Sequence, residues 1–137
     1  MLPTPLPDNG YRDVRQTDAH RWCARTFGVD CATDKGERIR RFIEEALELA
    51  QACDLPRSAI WNIMEHVYSR PVGEPFQEAG GVGVTLLILC ESIGISADHA
   101  ERTELARVLA KPAQHFRDRH NQKAAAGIGK PIADEAA

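Results

Sequence analysis

The segment Arg38–Cys53, RIRRFIEEALELAQAC, sets Ile39, Phe42, Ile43, Ala46, Leu47, Ala50 and Cys53 at steps of three and four. At about 100° per residue these positions share one arc of a helix. The opposite arc carries Glu37, Arg40, Arg41, Glu44, Glu45 and Glu48. Such a helix buries one stripe and solvates the other, and Thr33 or Asp34 supplies a side-chain oxygen to cap its first turn.

The flanking sequence reads the same way. A first helix is expected over about residues 13–26, stopped by Gly28. Asp54 and Pro56 open a third, with Ile60, Ile63, Met64 and Val67 on one face, ending before Pro71 because the residue ahead of a proline avoids the helical region. Glu74-Pro75 opens a fourth, whose body from Ala79 to Cys90 is apolar nearly all round and suits the centre of a bundle. Gly80, Gly81 and Gly83 each cost up to ~1 kcal/mol there relative to alanine. Close helix approach or open space for a ligand are the two offsets that stand. Gly94 stops this helix, and Ser96 caps a fifth that runs to about Lys111, before Pro112 and the polar stretch 114–123. No alternating strand pattern is present, so the expected class is all-α, a bundle of four to five helices. Residues 1–12, with Pro3, Pro5 and Pro7, read as an extended arm, residues 13–123 as one helical domain, and residues 124–137 as a flexible tail.

Composition narrows the function. The chain has 137 residues, 43% hydrophobic and 27% charged, which suits one folded domain. Its formal net charge of -3 lacks the basic excess of a binder of nucleic-acid polymers, yet leaves a single nucleotide open. The start, MLPTPLPDNG, has no charged region followed by an apolar core, and no apolar run reaches a membrane span, so a cytoplasmic protein without membrane contact is expected. Cys23, Cys31, Cys53 and Cys90 show no zinc-like spacing.

The chemistry-bearing group is acidic. Glu44 and Glu48 are four apart and Glu45 and Glu48 three apart, so all three project from one side of a helix within about one turn. Two like charges about 4 Å apart repel by about 4 kcal/mol at an effective dielectric of 20, a penalty that a divalent cation removes. Magnesium and manganese are hard ions that take carboxylate oxygens and waters. The bland alternative is a solvated acidic face with an Arg41–Glu45 ion pair. Glu78 adds a fourth carboxylate where the apolar helix begins, a place favoured by the helix dipole.

Together these residues resemble the MazG-like all-α nucleoside triphosphate pyrophosphohydrolases, which carry Glu-Glu-x-x-Glu on one helix and Glu-x-x-Asp at the start of a later buried one. The first motif is complete at Glu44-Glu45-Ala46-Leu47-Glu48. The second stands as Glu78-Ala79-Gly80-Gly81, with glycine in the aspartate's place. The strings RFIEEALELAQAC, RPVGEPFQEAGGVGVTLL and TELARV are similar to a phage- and prophage-associated subgroup, and the resemblance spans residues 17–123. It implies hydrolysis of a nucleoside or deoxynucleoside triphosphate to the monophosphate and pyrophosphate, with Mg2+ or Mn2+, in a homodimer or homotetramer. Glu45, Glu48 and Glu78 would be metal ligands, and Glu44 a further ligand or the residue that positions the attacking water. At Gly81, Glu74 substitutes, a water fills the position, or the site is weakened to a nucleotide-binding or protein-interaction module.

Cationic partners for a triphosphate are sought at Lys35, Arg38 and Arg41, with a structural ion pair as the competing role for Arg41. Trp22 and Phe27 stack on a base or, the blander role, pack in the core.

Overall fold

The computed structural model describes residues 10–132, and among these the chain is all-helical. Seven helices follow in order: α1 (Tyr11–Phe27), α2 (Val29–Thr33), α3 (Lys35–Ala52), α4 (Arg57–Tyr68), α5 (Pro75–Ser92), α6 (Ala97–Ala110) and α7 (Ala113–Ala125). The two beyond the expected five have local causes. Gly28, at φ 91°, breaks the chain between α1 and α2, and extended Pro112 lets α7 start afresh after α6. α1 begins at Tyr11, inside the stretch expected as an arm, and the remainder of that arm lies outside the described residues, as does the tail from residue 133 on.

Helix ends follow the local chemistry. The Asp34 carboxylate accepts the Glu37 N–H at 3.0 Å, and Ser96 Oγ accepts that of His99 at 3.1 Å, so both capping residues satisfy a first-turn amide. Thr33 instead turns its hydroxyl to the Val29 carbonyl, 2.8 Å away. α3, α5 and α7 end alike: the N–H groups of Leu55, Ile95 and Ile128 return to the carbonyls of Ala50, Cys90 and Lys123. Each closure needs one left-handed residue, supplied by Asp54 (φ 64°), Gly94 (φ 73°) and Gly127 (φ 77°).

The chain divides into two compact units. The first comprises the residues up to Arg41 and those from Glu104 onward. In it α1 packs on α2 and α7. Trp22 meets Phe27 and Phe116 edge-on at 5.7 and 5.1 Å between ring centres, and Phe27 lies 5.2 Å from the His120 ring. Cys23, Ala32, Val108 and Phe116 are buried around them. Arg117 Nε–H donates to the Thr26 carbonyl at 2.7 Å and joins α7 to the end of α1.

The expected amphipathic frame is reversed at the start of α3. Glu37, assigned to the solvent arc, is 1% exposed, whereas Ile39 is 52% exposed. The cause lies far along the sequence: the segment after α7 returns to this turn and sets the Lys130 N–H on Glu37, beside the Arg41 guanidinium of α3.

The second unit, Phe42–Thr103, holds the rest of α3, all of α4 and α5, and the start of α6. Cys90 alone is buried among its residues. Phe42, Ile43 and Leu47 on α3, Trp61, Ile63 and Val67 on α4, and Val84, Leu87 and Ile88 on α5 are all exposed. The apolar helix α5, expected at the centre of a bundle, is therefore uncovered within one chain. Gly80, Gly81 and Gly83 face open space, where an added Cβ meets nothing within 4 Å. No single helix among the described residues is long and apolar enough to cross a membrane.

Candidate metal centre and the clasp of the first unit

All four candidate glutamates stand in the second unit. The helical repeat of α3 sets Glu44, Glu45 and Glu48 on adjoining turns. Glu45 and Glu48 are exposed and Glu44 is half-buried. Glu78 lies in the first turn of α5, with Pro75 ahead of it in the position that lacks a donor and Glu74 as the capping residue whose carbonyl accepts the Glu78 N–H at 2.9 Å. Its side chain folds back over Gly73, where a Cβ would collide with the carboxylate.

Among the described residues of one chain, no three or more acidic, histidine or cysteine side chains come together as a group able to hold a metal ion. The donor set itself suits a hard divalent cation, because it offers only carboxylate oxygens, with those of Glu45, Glu48 and Glu78 on exposed residues.

The four candidate substrate-binding residues stand in the first unit, each in a local setting. Lys35 is exposed at the first position of α3. Trp22 is half-buried and packs edge-on against Phe27 and Phe116. Arg38 places its two terminal nitrogens on the sulfurs of Cys23 and Cys31, at 3.2 and 3.5 Å. Arg41 donates from Nε to Glu37 Oε1 at 2.9 Å. Its structural ion pair thus runs one turn backward to Glu37, in addition to any role forward along α3.

That ion pair belongs to a clasp that pattern reading of the sequence misses. The Lys130 N–H donates to Glu37 Oε2 at 3.0 Å, and Lys130 Nζ lies 2.7 Å from Asp34 Oδ2. His120, 4% exposed, sets Nε2 2.6 Å from the Lys130 carbonyl. A carbonyl only accepts, so Nε2 carries the proton. Nδ1 then faces Arg41 Nη2 at 3.5 Å and Glu37 Oε1 at 3.9 Å. The N–H, carbonyl and ammonium of Lys130 each have their own partner. Gly129 fits because it has no side chain: a Cβ would lie 2.7 Å from Arg41 Nη2 and 2.9 Å from both Glu37 carboxylate oxygens.

Electrostatics follow from this geometry. Burial pushes the Glu37 carboxyl upward, but the Lys130 N–H and the Arg41 guanidinium outweigh it and hold the carboxyl below its ordinary value. The Lys130 ammonium and then the Glu37 N–H hold Asp34 low as well. The only local signal of the clasp is the i, i+4 spacing of Glu37 and Arg41; the closing residues lie 79 to 96 positions away.

Comparison of the chain with protein-family models, with curated proteins and with solved structures found no match to any of them.

Proposed function

We propose that this chain is a MazG-like, metal-dependent pyrophosphohydrolase of nucleoside or deoxynucleoside triphosphates whose centre is completed when copies of the chain associate. The observation that carries this is the complete Glu44-Glu45-x-x-Glu48 motif, carried on α3 in the same unit whose α5 has Glu78 in its first turn. Glu45, Glu48 and Glu78 would hold Mg2+ or Mn2+, with Glu44 as a further ligand or the residue that orients water. A divalent ion bound there supplies charge neutralisation and Lewis-acid polarisation of the phosphoryl oxygens. The carboxylates of the chain would fix the ion, and Glu44 would either add to that set or position the attacking water. The product pair is the monophosphate and pyrophosphate.

Self-association is supported by what the second unit leaves undone. Its exposed apolar side chains on α3, α4 and α5 forgo on the order of 10 kcal/mol of burial free energy, at about 2 kcal/mol for a fully buried side chain and roughly half of that area uncovered. A homodimer or homotetramer recovers it and brings two sets of glutamates together. Gly81 supports a second reading. With no acid there and open space around it, the centre would bind a nucleotide while turning over little.

Pyrophosphate release from a panel of ribo- and deoxynucleoside triphosphates, with magnesium or manganese, separates the two. Turnover that Glu48→Gln lowers by at least about a hundredfold, on a scale where each 1.36 kcal/mol is tenfold, is expected. Nucleotide binding without turnover in the helical wild-type chain selects the binding module. Full turnover by Glu48→Gln would remove this centre from the chemistry.

A further inference from the structure

Two thiols of the first unit converge on one cation. Cys23 is buried on α1, Cys31 half-buried on α2, and the sulfurs accept from Nη1 and Nη2 of Arg38 at 3.2 and 3.5 Å. Both nitrogens are bonded to the same carbon, so the two sulfurs share one guanidinium. Gly28 alone separates the two helices in sequence, and the helices pack on each other. Sulfur is a weak acceptor. Arg38 nonetheless spends both terminal nitrogens on it, leaves its buried Nε without a hydrogen-bond partner, and has the Glu37 carboxylate 3.8 Å from Nη2. Burial raises both thiols above the ordinary thiol range, and Arg38 works against that by favouring the thiolate. Cys31, the more open of the two, is the one an external reagent reaches first.

We infer that Cys23 and Cys31 form a redox pair that closes into an intramolecular disulfide when a small-molecule disulfide of the glutathione type is the oxidant, which ties α1 to α2 and withdraws both thiol acceptors from Arg38. Cys31 loses its proton and its sulfur attacks one sulfur of the oxidant; the oxidant's S–S bond breaks, and the first small thiolate leaves and takes up a proton. Cys23 then loses its proton and attacks Cys31 Sγ, breaking the mixed disulfide and releasing the second small thiol. Two electrons pass from the cysteine pair to the oxidant, and two protons end on the released thiols. This device is independent of the hydrolytic reading.

The test uses the full chain carrying Cys53→Ser, so that the exposed Cys53 does not link copies. The protein is equilibrated over a series of reduced and oxidised glutathione ratios, and its peptides are mapped by mass. A Cys23–Cys31 cross-link is expected to appear in a single two-electron transition, with Cys90 left free. Cys31→Ser abolishes the link, and Arg38→Met slows its formation several-fold at fixed pH, because the guanidinium that favours the thiolate is gone. Circular dichroism confirms that each variant keeps its helices. Free thiols at every ratio, or glutathione adducts that never resolve into the cross-link, overturn the pairing. An unchanged rate in Arg38→Met overturns the part given to the guanidinium.

Discussion

A carboxylate that is 1% exposed keeps its charge only when donors replace the water it has lost, and Glu37 has them in Arg41 Nε–H and the Lys130 N–H. Removing one member of a buried pair leaves the other uncompensated, which costs about 3 kcal/mol or more. Arg41→Met is expected to lose about that much, read as a lower urea midpoint with an unchanged slope. The pH dependence has a definite sign. The folded-state value of Glu37 is lowered, as is that of Asp34, so the unfolded chain binds more protons on acidification. Their stabilisation is fully present above the unfolded carboxyl value of about 4.3 and is lost as pH falls through the lower folded values. Glu37→Gln removes one of the two contributions, so its urea stability, measured at steps from neutral pH to about pH 3, falls less steeply with acid than that of wild type. Curves of equal steepness would show that the Glu37 charge is not what the clasp stabilises.

At the scale of elements, five of the helices and most of their ends were legible in the sequence, while α2, α7 and the clasp were not. Ser96, Asp34, Gly28, Gly94 and Pro75 act through partners within about one helical turn, so their roles follow from local chemistry. The burial of Glu37 follows from donors near residue 130, a separation of 93 positions that no helical periodicity encodes. The side of α3 that carries Glu45 and Glu48 was legible as an acidic face, but whether another copy meets it is not a property of one helix. The segment after α7 read as a tail because GIGKPI has no periodicity, yet Gly129 and Lys130 each fit a defined site. Gly129→Ala tests that fit. Its Cβ would press on Arg41 Nη2 and on both Glu37 oxygens, and overpacking of this kind costs about 1–3 kcal/mol. In the Arg41→Met background one of the crowded partners is gone, so a double-mutant cycle of urea stabilities is expected to show non-additivity of at least about 0.5 kcal/mol. Strict additivity would mean that Gly129 and Arg41 do not share the site.

For the whole molecule, the two units face different problems. The first packs Trp22, Phe27 and Phe116 together beside the Glu37 clasp. The second has the sequence of a bundle core without the cover: Trp61 is 61% exposed, Leu87 51% and Ile88 62%. Exposed apolar side chains of this kind are what the proposed self-association would cover, and in that proposal the same assembly completes the metal centre. Assembly and metal binding should therefore fail together. Leu87→Asp with Ile88→Asp puts two charges on the uncovered face of α5 without touching any glutamate, so the motif residues stay intact. Sedimentation equilibrium at micromolar concentration is expected to give a dimer or tetramer for wild type and a smaller species for the double variant. Manganese titrated into each, followed by the paramagnetic signal of free ion, is expected to bind wild type and to bind the variant at least about tenfold more weakly, a loss of about 1.4 kcal/mol per site. A monomeric wild type would remove the surface assigned to association. A variant that dissociates yet binds manganese as tightly as wild type would place the ion within one chain, and the link between assembly and the metal centre would have to be abandoned.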